Sequence, residues 1–299
     1  MSTRATHNPQ WPEGFSLSGP STSLDPRINA FRKDIADIRL AGRVIASHYA
    51  YPAMHRCIAP TTMVLGEPKD DSRATSQLIA GEGFALLDRD GTWAWGYCEA
   101  DGYVGYVALA DIDHAGAEPT HRVTAPLALA FAQADLKSPL RQRLPMGARL
   151  VVTSMDNGFA ETSLGWVHSR YLSAIGDAVA DPVAVAERLV GTPYLWGGRA
   201  GDGLDCSGLV QLCLSLAGIA APRDSDQQRE QLGRAIAPDA LQRGDLVFFP
   251  GHVGMMVDAH RLIHANAWWM AVTIEPLAAV VARLHDTHAE PIAAVRRLG

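Results

Sequence analysis

A cysteine and two histidines carry the chemistry in this chain. Cys206 sits in the run Leu204-Asp205-Cys206-Ser207-Gly208, a Gly/Asp-rich turn that opens onto an apolar helical pattern, Cys206 to about Ala217 with Gly218 as its stop. A thiolate is the reactive form of cysteine. The unpaired N–H groups and positive dipole end of a helix favour it, and the same amides can bind a developing oxyanion. His252 follows Pro250-Gly251 at the start of a strand-like run, placed to take the thiol proton and later protonate a leaving amine. The imidazole needs a third polar group to fix its tautomer. His264 on the next strand and Asn266, two residues on along the same face, both qualify. The implied chemistry is acyl transfer.

The elements that must position these groups fall into four segments. Residues 1–35 read as an N-terminal arm, running into a short helix over Ile28–Leu40. Residues 36–116 show short β runs separated by Gly, Asp and Pro, as in a small antiparallel barrel. Residues 117–176 echo them, with Gly165-Trp166-Val167 answering to Gly105-Tyr106-Val107. Residues 177–299 form an α+β unit. It begins with a helix from Pro182 that Asp181 caps, and continues through strands at Leu246–Phe249, Val253–Val257 and Leu262–His264.

Composition narrows the class. With 47% apolar and 19% charged residues the chain is an ordinary globular protein, and a net charge of −6 argues against nucleic acid or an anionic membrane as partner. The polar run Met1–Leu24 lacks a signal-peptide core and no window is apolar enough to span a bilayer, so a cytoplasmic location is expected. The four cysteines have no zinc-ligand spacing, so neither a metal nor another cofactor is expected. Cys57 and Cys98 read as free thiols rather than a disulfide, and Cys213 as core.

Six motifs occur in order: Tyr194-Leu195-Trp196-Gly197-Gly198, Asp205-Cys206-Ser207-Gly208, Pro222-Arg223-Asp224-Ser225, Gly244-Asp245-Leu246-Val247-Phe248-Phe249, His252-Val253-Gly254-Met255 and Leu262-Ile263-His264-Ala265. This series resembles the NlpC-type papain-like cell-wall peptidases. The preceding region resembles the paired bacterial SH3-like domains of γ-D-glutamyl-L-diamino acid endopeptidases, although Tyr106 stands where that pattern more often has Trp. The fold expected is therefore multi-domain: two small all-β SH3-like barrels followed by an α+β papain-like cysteine peptidase domain.

The resemblance implies Cys206 as nucleophile, His252 as base, His264 as the orienting residue and Tyr194 beside the oxyanion. It implies hydrolysis of the γ-D-Glu–diamino acid bond in murein-derived peptides that carry a free N-terminal L-Ala. A buried ammonium needs a carboxylate, for which Asp224 is the candidate, with Ser207 adding a hydrogen bond. Glu82 and Tyr103 are expected to reach over the cleft behind the L-Ala. Arg223 is expected either to pair with the D-Glu α-carboxylate or to form a structural salt bridge, and Asp205 to cap the helix or hold the turn. Two rival readings remain open: a related amidase or acyltransferase, and a wall-peptide binding protein with a degenerate catalytic domain.

Overall fold

A computed structural model describes residues 23–299. In the first unit seven antiparallel strands run in the order Ala74–Ile79, Thr61–Leu65, Val104–Ala108, Trp93–Cys98, Gly83–Asp90, Ala53–Cys57 and Ile112–His114. Their inward side chains, among them Val64, Leu78, Phe84 and Val107, make one core. Contrary to the expected barrel, the ladder is open. The edge strand Ala74–Ile79 turns its free side to the C-terminal region, where the Arg199 backbone N–H donates to the Gln77 side chain (2.8 Å).

The expected internal echo is present as a repeat of hydrogen bonding. The hairpin Thr61–Leu65/Ala74–Ile79 recurs 66 residues on as Leu127–Phe131/Leu140–Pro145, with the same register and a bulge at the same place. Both hairpins close alike, Glu67 N–H on Ser72 Oγ in one and Gln133 N–H on Ser138 Oγ in the other. Each copy also runs strand, 3₁₀ turn, strand at its end, through Leu109–Asp111 and Ser169–Tyr171.

The helix expected over Ile28–Leu40 does not form. Ile35–Asp37 is a buried strand paired with His48–Ala50, followed by a 3₁₀ turn at Ile38–Leu40. Ala30 and Ile35 pack on Trp95 and Tyr97 of the first unit. Three consecutive buried residues suit an extended segment lying on a sheet better than one stripe of a helix.

The C-terminal region is a six-stranded antiparallel sheet, in the order Arg234–Ala235, Ala294–Arg297, Leu246–Phe249, His252–Met256, Arg261–Asn266 and Ala271–Pro276. Four helices accompany it: α1 (Pro182–Glu187), α2 (Cys206–Leu216), α3 (Ser225–Gln231) and α4 (Leu277–His285). Leu246 and Phe248 point to the core that holds α2. Val247 and Phe249 point to the opposite face, where Val280 of α4 covers them. Period-2 alternation thus builds a two-faced sheet. Asp181 caps α1 as expected, accepting from Val183 N–H (2.9 Å), and Gly218 ends α2 at φ +76°. The strands Arg234–Ala235, Ala271–Pro276 and Ala294–Arg297 and the helices α3 and α4 had no counterpart in the sequence reading.

The four cysteines are free and buried. Among the described residues no helix is long and apolar enough to cross a membrane.

Candidate active site

Cys206 is the first residue of α2, only 7% exposed. Asp205 caps the helix, its carboxylate accepting from Gly208 N–H (2.7 Å) and Gly197 N–H (2.9 Å). A side chain at Gly208 would place its Cβ 2.2 Å from the Gly198 carbonyl, so only glycine lets the helix start lie this close to that loop. Arg223, fully buried, grips Asp205 through both guanidinium nitrogens (3.0 and 2.5 Å), and donates to Ser207 Oγ (2.9 Å) and Ser76 Oγ (3.1 Å). Of its two expected roles, Arg223 therefore takes the structural salt bridge. Its donors are spent inside the protein, which corrects the pairing with a substrate carboxylate.

Burial, and after it the Asp205 charge, push the Cys206 thiol up to about 11, while backbone N–H groups of Val253 and Ser207 pull the other way. The Val253 contact sets the start of the His252–Met256 strand against the sulfur. His252 Nε2 lies 2.8 Å from His264 Nδ1, and His264 Nε2 lies 2.8 Å from Glu275 Oε1. Arg283 of α4 holds Glu275 through two contacts, at 3.1 and 3.0 Å.

This line of groups fixes its own protons. Burial raises the Glu275 carboxyl, but hydrogen bonds from Arg283 and His264 outweigh it and hold it at about 2, so Glu275 can only accept. His264 must then carry its proton on Nε2 and accept on Nδ1. His252 donates there from Nε2, which leaves its Nδ1 lone pair free for a thiol proton. Burial, with the charges of His264 and Arg283 adding to it, lowers His252 to about 3 and keeps it neutral at ordinary pH. The resting pair is thus thiol and imidazole, and proton transfer accompanies attack.

Asn266, the alternative to His264, is engaged elsewhere. Its amide donates to Thr273 Oγ1 (2.8 Å) and its carbonyl accepts from Trp269 N–H (2.9 Å), so it shapes the 266–271 turn. Glu275 escaped the sequence reading because its strand did.

Cys206, Ser207, Tyr194, Trp196, Tyr103, Asp224 and Asp226 line one cavity of about 400 Å³, large enough for a small peptide. Burial, with the Cys206 and Asp205 charges behind it, pushes the Tyr194 hydroxyl up to about 12, so it stays a donor. Tyr103 comes from the first unit and donates to Asp224 Oδ2 (3.0 Å). The sequence-expected residues Cys206, Tyr194, Ser207, Asp224 and Tyr103 are thus brought together.

Glu82 is not among them. It is buried behind the site, bonded to Arg199 (2.8 and 3.1 Å) and to Ile79 N–H (3.0 Å). Burial raises its carboxyl, and the Arg199 charge more than offsets that. The expectation that Glu82 reaches over the cleft is corrected, since a carboxylate this deep must stay with its cation. Arg199 also donates to Gln211 of α2 (2.5 Å) and the Gln77 carbonyl (2.6 Å), bolting the first unit to the helix that carries Cys206. Arg199→Met is expected to cost about 3–5 kcal/mol by leaving Glu82 charged and alone. The double change Glu82→Met/Arg199→Met is expected to cost less. Chemical denaturation checks the order, and equal losses would refute it.

Residues 191–289 match the NlpC/P60 family, and residues 64–112 match the bacterial dipeptidyl-peptidase SH3 domain. The chain carries an NlpC/P60 cysteine peptidase domain behind an SH3 domain. A γ-D-glutamyl-L-lysine dipeptidyl-peptidase of Bacillus cereus is 24% identical over 238 residues, 69% of this chain and 71% of that protein. Dipeptidyl-peptidase 6 of Lysinibacillus sphaericus is 36% identical over 95 residues, 32% of this chain and 35% of that one. The chain thus spans about a third of the second relative's length. The fold is shared with a crystal structure of an NlpC/P60 family protein from Bacillus cereus, at a TM-score of 0.70 and 22% identity, over 82% of this chain and 99% of that one. The NlpC/P60 match takes in Tyr194, Cys206, Asp224, His252, His264 and Glu275, and the SH3 match takes in Tyr103.

Proposed function

We propose that this protein hydrolyses the γ-D-glutamyl–L-diamino acid bond of murein-derived peptides that begin with a free L-Ala. The observation that carries the reading is the shared cavity: a thiol at a helix start and a carboxylate held by Tyr103 line the same space. Cys206 attacks the γ-carbonyl of D-Glu as its proton passes to His252 Nδ1. Tyr194 and the amides at the start of α2 receive the oxyanion. The imidazolium, steadied through His264 by Glu275, returns the proton to the departing diamino acid amine. Water then attacks the thioester with His252 as base, and L-Ala-γ-D-Glu is released.

Asp224 is the partner for the L-Ala ammonium, with Ser207 completing the cavity wall. A free amino end is made when stem peptides are cut from the wall, so the substrate on this reading is a released turnover peptide. Recycling in the cytoplasm is then the place of action. The second β unit, which repeats the first hairpin's register, is on the same reading a second SH3-like domain.

L-Ala-γ-D-Glu-L-Lys and its N-acetylated form test the assignment. The free peptide is expected to be cleaved at least about a hundredfold faster in kcat/KM, since acetylation removes the ammonium charge and the donors that meet Asp224 and adds bulk where the peptide ends. Equal rates would remove the ammonium site from the mechanism.

A further inference from the structure

Asp224 does not stand alone. The Arg27 guanidinium, from the segment ahead of the first unit, donates to Asp224 Oδ2 (2.8 Å), to both Asp226 oxygens (3.0 and 2.9 Å) and to both oxygens of Asp25. The strap is fastened at two further points. The Arg27 carbonyl accepts from Val104 N–H (2.7 Å), next to Tyr103, and Asp25 accepts from Gln227 Nε2 of α3 (3.1 Å). Arg27 is not a lining residue of the cavity, whereas Asp224 and Asp226 are. Asp224 Oδ2 is therefore shared by Arg27 and Tyr103, and Oδ1 has no hydrogen-bond partner among the described residues.

We infer that Arg27 is a specificity-determining positioning residue, which braces Asp224 and Asp226 so that the cavity offers a primary ammonium one fixed carboxylate oxygen. Three carboxylates crowd this point, and without a cation they would repel and turn outward. A guanidinium fork spans all three at once, which a compact ammonium on Lys cannot. One positive charge against three negative leaves the cluster at −2, and with Arg73, which lines the cavity and stacks over Trp196, the sum is still −1, so the site attracts a cation. Because Arg27 holds Oδ2, the incoming ammonium meets Oδ1. The strap also binds the wall to both the first unit and α3, and so fixes where the peptide must end.

This inference rests on the proposed substrate, and the test separates the two. Wild type, Arg27→Gln and Arg27→Lys are compared on L-Ala-γ-D-Glu-L-Lys and its N-acetylated form. Arg27→Gln is expected to raise KM for the free peptide at least tenfold with kcat within about twofold, and to narrow the preference for the free amine. Arg27→Lys is expected to fall between. In the Cys206→Ala background, where no turnover is needed, Arg27→Gln is expected to weaken binding of L-Ala-γ-D-Glu tenfold in calorimetry. An unchanged or lowered KM would overturn the inference, and a lowered one would make Arg27 a competitor of the ammonium. A fall in kcat and melting temperature without a change in preference would also overturn it, reducing Arg27 to a structural tie. If wild type itself shows no preference, the substrate assignment fails first. If wild type discriminates and Arg27→Gln does so equally, only the role of Arg27 fails.

Discussion

Cys206→Ala is expected to bring hydrolysis of L-Ala-γ-D-Glu-L-Lys to background, a loss on the order of 10⁶-fold if the thiol forms the covalent intermediate. No neighbouring group can stand in for it. Ser207 carries the adjacent hydroxyl in the cavity, but its Oγ donates to Asp205 and accepts from Arg223. The fold should survive, because the change removes one sulfur at the cavity wall while the cap from Asp205 to Gly208 stays in place. A cost of about 1 kcal/mol is expected for such a truncation. Product release followed by chromatography, beside a thermal melt, separates the two effects. Hydrolysis within about a hundredfold of wild type in a folded variant would move the chemistry to another residue.

Glu275→Ala is expected to lower kcat about a hundredfold with little change in KM. Two losses act in the same direction. His264 no longer has an acceptor that pins its proton to Nε2, so the neighbouring His252 can take the tautomer that points N–H, not a lone pair, at the thiol. Arg283 also loses its carboxylate and stands as a bare cation close to an imidazole that must become positive. Glu275→Gln keeps an acceptor and loses only charge, so a smaller fall, about tenfold, is expected. Steady-state kinetics of the two variants test the ordering. Wild-type kcat in the alanine variant would show that the two histidines hold their tautomers without help.

The catalytic core was legible because its residues lie in compact local motifs. Asp205-Cys206-Ser207-Gly208 encodes both the helix cap and the nucleophile, and His252 opens one strand while His264 lies within the next. What escaped depends on pairings between distant parts of the chain. Glu275 meets His264 diagonally across a strand pair in which His264 faces Thr273, and that register is set by the turn at 266–271. Arg27 reaches Asp224 from 197 positions away. Glu82 was noticed for its charge, but its direction depends on Arg199, which no local pattern near Glu82 announces. The segment Ile28–Leu40 has helical spacing that packing on Trp95 and Tyr97 overrides.

The 66-residue repeat creates a hazard of misassembly that the chain has solved by labelling its copies. Two hairpins of equal register are made one after the other, and both units meet α2, the second through Arg122 on the Ser215 and Leu216 carbonyls and Met146 in the core, so each must find its own face. The first hairpin carries Ser76 and Gln77, with Glu82 in the turn just after it, and these meet Arg223 and Arg199. At the corresponding places of the second stand Gln142, Arg143 and Ala148. Seated on α2 in place of the first, the second hairpin would set the Arg143 cation beside Arg199 and provide no carboxylate for it, a clash of like charges in a dry interface. The polar bolts thus act as a key cut for one of two parts of equal register, so the copy that brings Tyr103 to the cavity is the copy that seats against Arg199 and Arg223.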